Sequence, residues 1–304
     1  MNTQPLVTVA IPAYKSSYLR QAIESVLAQS YRNIELIIVN DRSPEDIGGV
    51  VRSFNDERIR YYLNAENVGR ANPAHNWNLC VEHAKGEYFA LLCDDDLYEP
   101  TFVERMMELA RKYPHTNVFR ARANIIDASG RTVSFYPSAP EWEAMDDYVW
   151  HVACNYRYQT ISEFVHRTSR LRACGGYALL PLAWYADYLS VYRFSADGGI
   201  ASCSECLVHF RQSGRNISSQ DDKNSREKLL AAKQYIQEVG ALLRAHVSEE
   251  RANLLINLMN DLIARHNKYV LEHAPRLALP AIWRKRKRYG VSSKLLRRAF
   301  FHKR

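Results

Sequence analysis

Tyr88-Phe89-Ala90-Leu91-Leu92-Cys93-Asp94-Asp95-Asp96 is an apolar run that ends abruptly in three carboxylates. A short continuous apolar segment has the pattern of a strand buried on both faces. Such a strand delivers its last side chains to the carboxyl edge of the sheet, where open α/β sheets bind their ligands. Hard divalent cations prefer oxygen and are commonly held by one or two carboxylates together with substrate phosphates. The stretch therefore predicts a metal-assisted site for a phosphorylated ligand, with a nucleotide the leading candidate. From these residues alone a second reading stays open: the acids could serve the first turn of a helix from Phe102 to Tyr113.

Upstream, strand and helix patterns alternate. Leu6 to Ile11 is β-rich and is expected to stop at Pro12, which cannot continue a central ladder. Leu19, Ala22, Ile23, Val26 and Leu27 recur at helical spacing behind Ser16 and Ser17. Ile34 to Val39 is another fully apolar strand, closed by the turn-rich Asn40-Asp41-Arg42-Ser43-Pro44. A helix to about Phe54, a strand from Arg58 to Leu63, a turn at Asn67-Val68-Gly69 and a helix from Asn72 to Ala84 complete the series. This order predicts a mainly parallel central sheet in a three-layer α/β sandwich.

Further on, Val118 to Ile126, Thr132 to Phe135, Ile161 to His166 and Gly199 to Phe210 have strand character. Gly175-Gly176-Tyr177 precedes a helix from about Ala183 to Phe194. Arg226 to His246 and Ser248 to His273 are long helices. The expected organisation is a domain over residues 1–220, a helical extension over 221–275 and a basic tail over 276–304.

The composition is that of a globular chain: 304 residues, 47% hydrophobic and 24% charged. No stretch approaches the roughly 18 consecutive apolar residues of a membrane span. Met1 to Pro5 carries no basic region ahead of an apolar one, so no secretory signal is expected. Six scattered cysteines include one C-x-x-C pair, Cys203 and Cys206, which cannot close a four-ligand zinc site alone. They are expected to be reduced, in a cytoplasmic protein. The net charge of +8 is unevenly spread. Residues 276–304 hold eleven of the 41 Lys and Arg and no Asp or Glu, which leaves the first 275 residues at −3.

Taken together, these motifs resemble the family 2 glycosyltransferases, which have the GT-A fold, over roughly residues 5–220. Val7-Thr8-Val9-Ala10-Ile11-Pro12-Ala13-Tyr14 is similar to that family's first strand, and Asn40-Asp41-Arg42-Ser43 to its second-strand motif. Asn67-Val68-Gly69, with Asn76 beyond, resembles the segment ahead of the metal motif. Cys93-Asp94-Asp95-Asp96 stands where the family carries its DxD-type motif. Gly175-Gly176-Tyr177 with Ala186-Asp187 resembles the acceptor-side Gly-Gly and Glu-Asp pair.

The resemblance implies metal-dependent, inverting transfer of a sugar from a nucleotide-sugar donor to an acceptor hydroxyl. Charge builds on the departing nucleoside diphosphate, so a cation and aimed donors should dominate catalysis. In that scheme Asp95 is the principal ligand of Mn2+ or Mg2+, and Asp94 contacts the metal or the ribose. Asp96 supports them or caps the next helix. Pro12, Tyr14, Asp41 and Asn67 belong to the nucleotide-sugar site, with Asp41 reading the base or ribose. Tyr14 is a stacking wall or a packing residue. Asp187 is the general base, its alternative being an acid on a helix surface. Gly175, Gly176 and Trp184 face the acceptor, although Trp184 could equally pack a helix onto the core. Arg211 and Arg215 are diphosphate partners or solvated loop charges.

The chain also departs from the family pattern. Cys93 stands where an acid is common, Lys15 where Asn is common, Ala186 in place of Glu, and Ser213 in place of the His of an Arg-x-His pattern. These departures support a competing reading, a non-catalytic nucleotide-binding or scaffolding relative. A dinucleotide-dependent oxidoreductase is disfavoured because the first strand-to-helix turn lacks G-x-G-x-x-G. A nucleotidyltransferase would need a basic phosphate loop, where only Lys15 is offered.

In the tail, Val291, Leu295, Leu296, Ala299 and Phe300 share one helical face, with Lys294, Arg297 and Arg298 mostly opposite. That pattern suits an interfacial helix on an anionic membrane. A soluble tail and nucleic-acid binding are the weaker alternatives. With the lipid-linked or saccharide acceptors common in the family, the expected location is peripheral, on the inner face of the cytoplasmic membrane.

Overall fold

A computed structural model describes residues 4–214 and 224–302. The first elements are β1 (Val7–Ala13), α1 (Leu19–Leu27), β2 (Ile34–Asn40), α2 (Ile47–Arg52), β3 (Ile59–Leu63), α3 (Ala74–His83) and β4 (Tyr88–Leu91). Next come β5 (Leu97–Tyr98), α4 (Phe102–Lys112), β6 (Val118–Ile126), β7 (Thr132–Phe135), β8 (Trp142–Glu143) and α5 (Met145–Ala153). Then follow β9 (Phe164–Arg167), α6 (Thr168–Ala173), α7 (Ala186–Ser195) and β10 (Ile200–Arg211). Four helices finish the described chain: α8 (Ser225–His246), α9 (Glu249–His273), α10 (Leu279–Arg284) and α11 (Ser293–His302).

The strands form one sheet in the order β3-β2-β1-β4-β9-β6-β10-β5, with β7 beside β6 and β8 beside β10. The half built from the first hundred residues is parallel throughout: β3, β2, β1 and β4 run together. Beyond it the sheet is mixed, because β9 enters antiparallel to both β4 and β6, and β5 antiparallel to β10. Strand β1 runs on through Pro12 to Ala13, past the expected stop. The reason lies in the ladder. The Ala10 carbonyl accepts from Leu92 N on the β4 side, so Pro12, two residues on, turns its missing N–H to the same side, where β4 has already ended.

Both faces of the sheet are covered. Ile37 and Val39 of β2 join Cys80, Phe89, Leu91 and the helices α5 and α7 in one apolar cluster. Leu36 and Ile38 join Leu19, Ile23, Val26, Phe102 and Met106 in another on the opposite face. Helices α8 and α9 continue the first cluster through Tyr235, Val239, Leu255 and Met259, so the extension shares the core of the sheet.

The tail differs from expectation. Val291, Leu296 and Ala299 are buried, packed with Leu279 and Ile282 against Leu229, Val270 and Leu271 of α8 and α9. Val291, Leu295, Leu296 and Ala299 of the face assigned to a membrane therefore pack inside the protein, over an apolar stripe of the α8–α9 pair. Arg284, Lys285, Lys287, Arg288, Lys294, Arg297 and Arg298 stay exposed. Among the described residues, no helix is long and apolar enough to cross a membrane.

Candidate active site

The three aspartates emerge from β4 beside the end of β1 and divide their work. The Asp94 carboxylate accepts from Tyr14 N at 2.8 Å and Lys15 N at 2.7 Å, which ties the β1–α1 loop to the acidic edge. Burial, then the neighbouring Asp95 charge, pushes the Asp94 carboxyl up to about 6 against those two donors. Asp96 is fully buried and accepts from Ser162 Oγ at 2.6 Å and Arg211 N at 2.9 Å. It is a structural acid. Asp95 faces Lys15 Nζ at 3.6 Å, and burial raises its carboxyl while the Lys15 charge lowers it.

This set fits a divalent cation of a particular kind. Among the described residues, no group of three or more His, Cys, Asp or Glu side chains could hold a metal unaided. Asp95, with Asp94 beside it, supplies the one or two carboxylates that suffice when substrate phosphates complete the shell. Cys93 contributes no thiolate, since burial and the adjacent carboxylates hold its thiol well above the usual range.

Asp187 is the second residue of α7, and its charge acts together with that of Asp96 on the Tyr136 hydroxyl. Gln159 Nε2 donates to its carboxylate at 3.2 Å, and burial pushes that carboxyl up to about 6. The short segment from Gln159 to Glu163 links the two acid groups: Gln159 holds Asp187 while Ser162 holds Asp96 and accepts from Cys93 N at 3.1 Å. Gln159 and Ser162 carry no motif and are missed from the sequence. The segment itself has a readable signal, since Thr160 and Glu163 form a capping box. Glu163 is further fixed by Arg120 Nε of β6 at 2.6 Å.

Other expected site residues take different places. Both Asp41 carboxylate oxygens are engaged, by Val68 N and Asn64 Nδ2 at 2.9 Å and by Gly69 N at 2.7 Å. Asp41 therefore shapes the 64–69 loop, and Asn67 accepts from Arg70 N within it. Tyr14 is 42% exposed, so its ring is available to a ligand. Pro12 lies inside β1.

Arg211 is enclosed. It donates from Nε to the Asp95 carbonyl at 2.9 Å, from Nη1 to the Asp127 carbonyl at 3.3 Å and from Nη2 to Gln21 at 2.8 Å, and it stacks on Tyr18. Its guanidinium braces the acidic turn from behind, so the expected diphosphate contact does not describe its surroundings. Arg215 lies outside the described residues.

Gly175 and Gly176 end α6 in a Schellman turn, Gly175 N donating to the Arg172 carbonyl and Gly176 N to that of Leu171. Both have left-handed backbone, at φ +78° and +82°. With Asn67, Val68, His75 and Leu179 they line a groove of about 760 Å³, whose walls include neither the β4 aspartates nor Asp187. Trp184 stacks on His266 of α9 and lies under Lys228 of α8, which is the packing alternative.

A family profile, Glycosyl transferase family 2, matches residues 8–172, more than half the chain and including Asp41 and the three aspartates. An uncharacterized glycosyltransferase of Rickettsia typhi is 37% identical over 115 residues, 38% of this chain and 35% of that protein. Thus the match spans only about a third of that relative's length. An uncharacterized glycosyltransferase of Haemophilus influenzae is 26% identical over 230 residues, 72% of this chain and 69% of the relative.

Among solved structures, S. aureus TarS 1-349 in complex with UDP-GlcNAc superposes with a TM-score of 0.68 at 12% identity, covering 99% of this chain and 87% of TarS. The mannosyltransferase PcManGT from Pyrobaculum calidifontis, in complex with GDP-Man and Mn2+, gives a TM-score of 0.59 at 14% identity, covering 92% and 76%. At those identities the likeness concerns the fold, which is the GT-A α/β architecture of these enzymes. The chain belongs to glycosyl transferase family 2.

Proposed function

We propose that the protein transfers a sugar from a nucleotide-sugar to an acceptor hydroxyl, with inversion by direct displacement. The observation that carries this reading is the pairing of two acid groups across one segment: Asp94–Asp96 at the sheet edge and Asp187 at α7, joined through Gln159 and Ser162. Asp187, with its carboxyl raised to about 6, is ionised at neutral pH yet basic enough to take the proton of the attacking hydroxyl. The oxygen bonds to the anomeric carbon as the bond to the diphosphate breaks. Asp95 and Asp94 would hold Mn2+ or Mg2+ against the donor phosphates, and that cation would neutralise the charge on the leaving nucleoside diphosphate. Lys15 supplies a second positive charge at the same carboxylate. Tyr14 offers a ring to the base, and the loop shaped by Asp41 closes the nucleotide side.

The donor class is supported by the neighbours in fold, one with UDP-GlcNAc and one with GDP-Man and Mn2+. A polysaccharide or lipid-linked acceptor, at the inner face of the cytoplasmic membrane, is the setting this reading favours. The exposed basic surface of the tail would meet anionic lipid there chiefly by charge, since Val291, Leu296 and Ala299 are buried. The test is release of nucleoside diphosphate from UDP-, dTDP- and GDP-sugars with Mn2+, using the native chain and Asp187→Asn. Release from one donor class, at least about a hundredfold slower in the variant, is the expected result. No release from any donor would favour the scaffold reading, for which the Lys15–Asp95 pairing is the supporting observation.

A further inference from the structure

The backbone ahead of Asp187 is unusual. Leu182, Ala183 and Tyr185 have φ of +60°, +54° and +65°, in the left-handed region that L side chains rarely adopt. Tyr185 is the residue that starts α7, and its side chain caps nothing. Three such residues within four persist only when their surroundings fix them. The surroundings come from α8 and α9. The Trp184 ring lies parallel to His266 at 5.6 Å, with Lys228 Nζ 4.5 Å from its centroid. The Tyr185 ring stacks on Tyr235 at 4.6 Å and meets His266 edge-on at 5.4 Å. Lys228 and Tyr235 are themselves buried, and Tyr235 Oη donates to Tyr192 Oη of α7 at 3.1 Å.

We propose that the α8–α9 pair is a positioning element of the active site, in which Lys228, Tyr235 and His266 clamp Trp184 and Tyr185, keep Leu182, Ala183 and Tyr185 left-handed and thereby set the place of Asp187. The inference rests on Asp187 acting as the base. Return of any of these residues to right-handed backbone would swing the start of α7 and separate Asp187 from Gln159. The aromatic contacts oppose that return. His266, Lys228 and Tyr235 touch no reacting atom; they act through Asp187.

The test combines amide hydrogen exchange with turnover in the full chain, comparing native, His266→Ala and His266→Phe. Loss of the ring should speed exchange over residues 178–190 by about tenfold or more and leave α1 to α4 unchanged. With a UDP-, dTDP- or GDP-sugar and water as acceptor, kcat should fall by a similar factor while KM for the nucleotide-sugar stays constant. His266→Phe keeps a flat ring under Trp184 and should restore both. Unchanged exchange at 178–190 in His266→Ala, or no restoration by Phe, overturns the proposal. If the native chain turns over no nucleotide-sugar, it is the transferase reading that fails, and the exchange data alone decide the positioning role.

Discussion

At the scale of single residues, Asp187 and Arg211 give opposite predictions. Asp187 has a carboxyl raised from 3.8 to about 6 by burial, so its neutral form is favoured on folding. Its contribution to stability is present below pH 4 and is lost as the pH rises through about 6. Turnover should run the other way, rising with pH around that value to a plateau, because the base must be ionised. Asp187→Asn should therefore abolish turnover yet gain on the order of 1 kcal/mol in urea unfolding at pH 8, after discounting for its partial exposure. Equal stability of the two chains at pH 5 and pH 8 would contradict this. Arg211 behaves conversely. Arg211→Met orphans carbonyl acceptors behind the acidic turn and should cost on the order of 3 kcal/mol in stability. A variant of native stability with weakened nucleotide binding would return Arg211 to the phosphate role. Sequence cannot make this distinction, since an Arg at the end of a strand has the same letter whether it faces ligand or carbonyl.

Among the elements, the parallel half of the sheet was legible because β1, β2 and β4 are short, mostly apolar runs buried on both faces, and a helix follows each of β1, β2 and β3. The mixed half was less legible. β9 is four residues long and enters antiparallel between β4 and β6, a pairing that only tertiary contacts specify. Gly-Gly was legible as a break but not as a helix cap, and the cap gives a graded prediction. A Cβ at Gly175 meets nothing within 4 Å, whereas at Gly176 it would come within 2.4 Å of Asn78 Oδ1. Both are left-handed, so Gly175→Ala should cost about 1 kcal/mol and Gly176→Ala more, about 2–3 kcal/mol. Urea unfolding of the pair checks this; equal losses would mean that Asn78 yields without cost. The acid cluster was legible as carboxylates at the end of a buried strand, but its division of labour was not. That Asp94 holds the β1–α1 loop, Asp96 accepts from the last residue of β10 and Asp95 faces Lys15 follows from neighbours up to 115 residues away.

For the whole molecule, the tail shows where amphipathic pattern misleads: the stripe at Val291, Leu296 and Ala299 is real, but its partner is the protein. Binding to vesicles containing phosphatidylserine should consequently be electrostatic, at about 1 kcal/mol per exposed cation, and lost in high salt. Lys285→Glu with Lys287→Glu and Arg288→Glu should abolish sedimentation with such vesicles at native stability. Salt-insensitive binding would indicate apolar insertion instead. Charge reversal is a fairer probe than removal of residues 276–304, which would bare Leu229, Val270 and Leu271. In the proposed mechanism the β4 edge binds a nucleotide-sugar through a cation at Asp95, while Asp187 serves only the chemistry. The most direct measurement is the thermal stability of the native chain, Asp95→Ala and Asp187→Asn with UDP-, dTDP- and GDP-sugars, with and without Mn2+. One nucleotide class should stabilise the native chain and Asp187→Asn only when Mn2+ is present, by about 2.7 kcal/mol at a hundredfold excess over Kd, and should leave Asp95→Ala unmoved. Absence of any stabilisation, or equal stabilisation of Asp95→Ala, would contradict a donor held through a cation at Asp95.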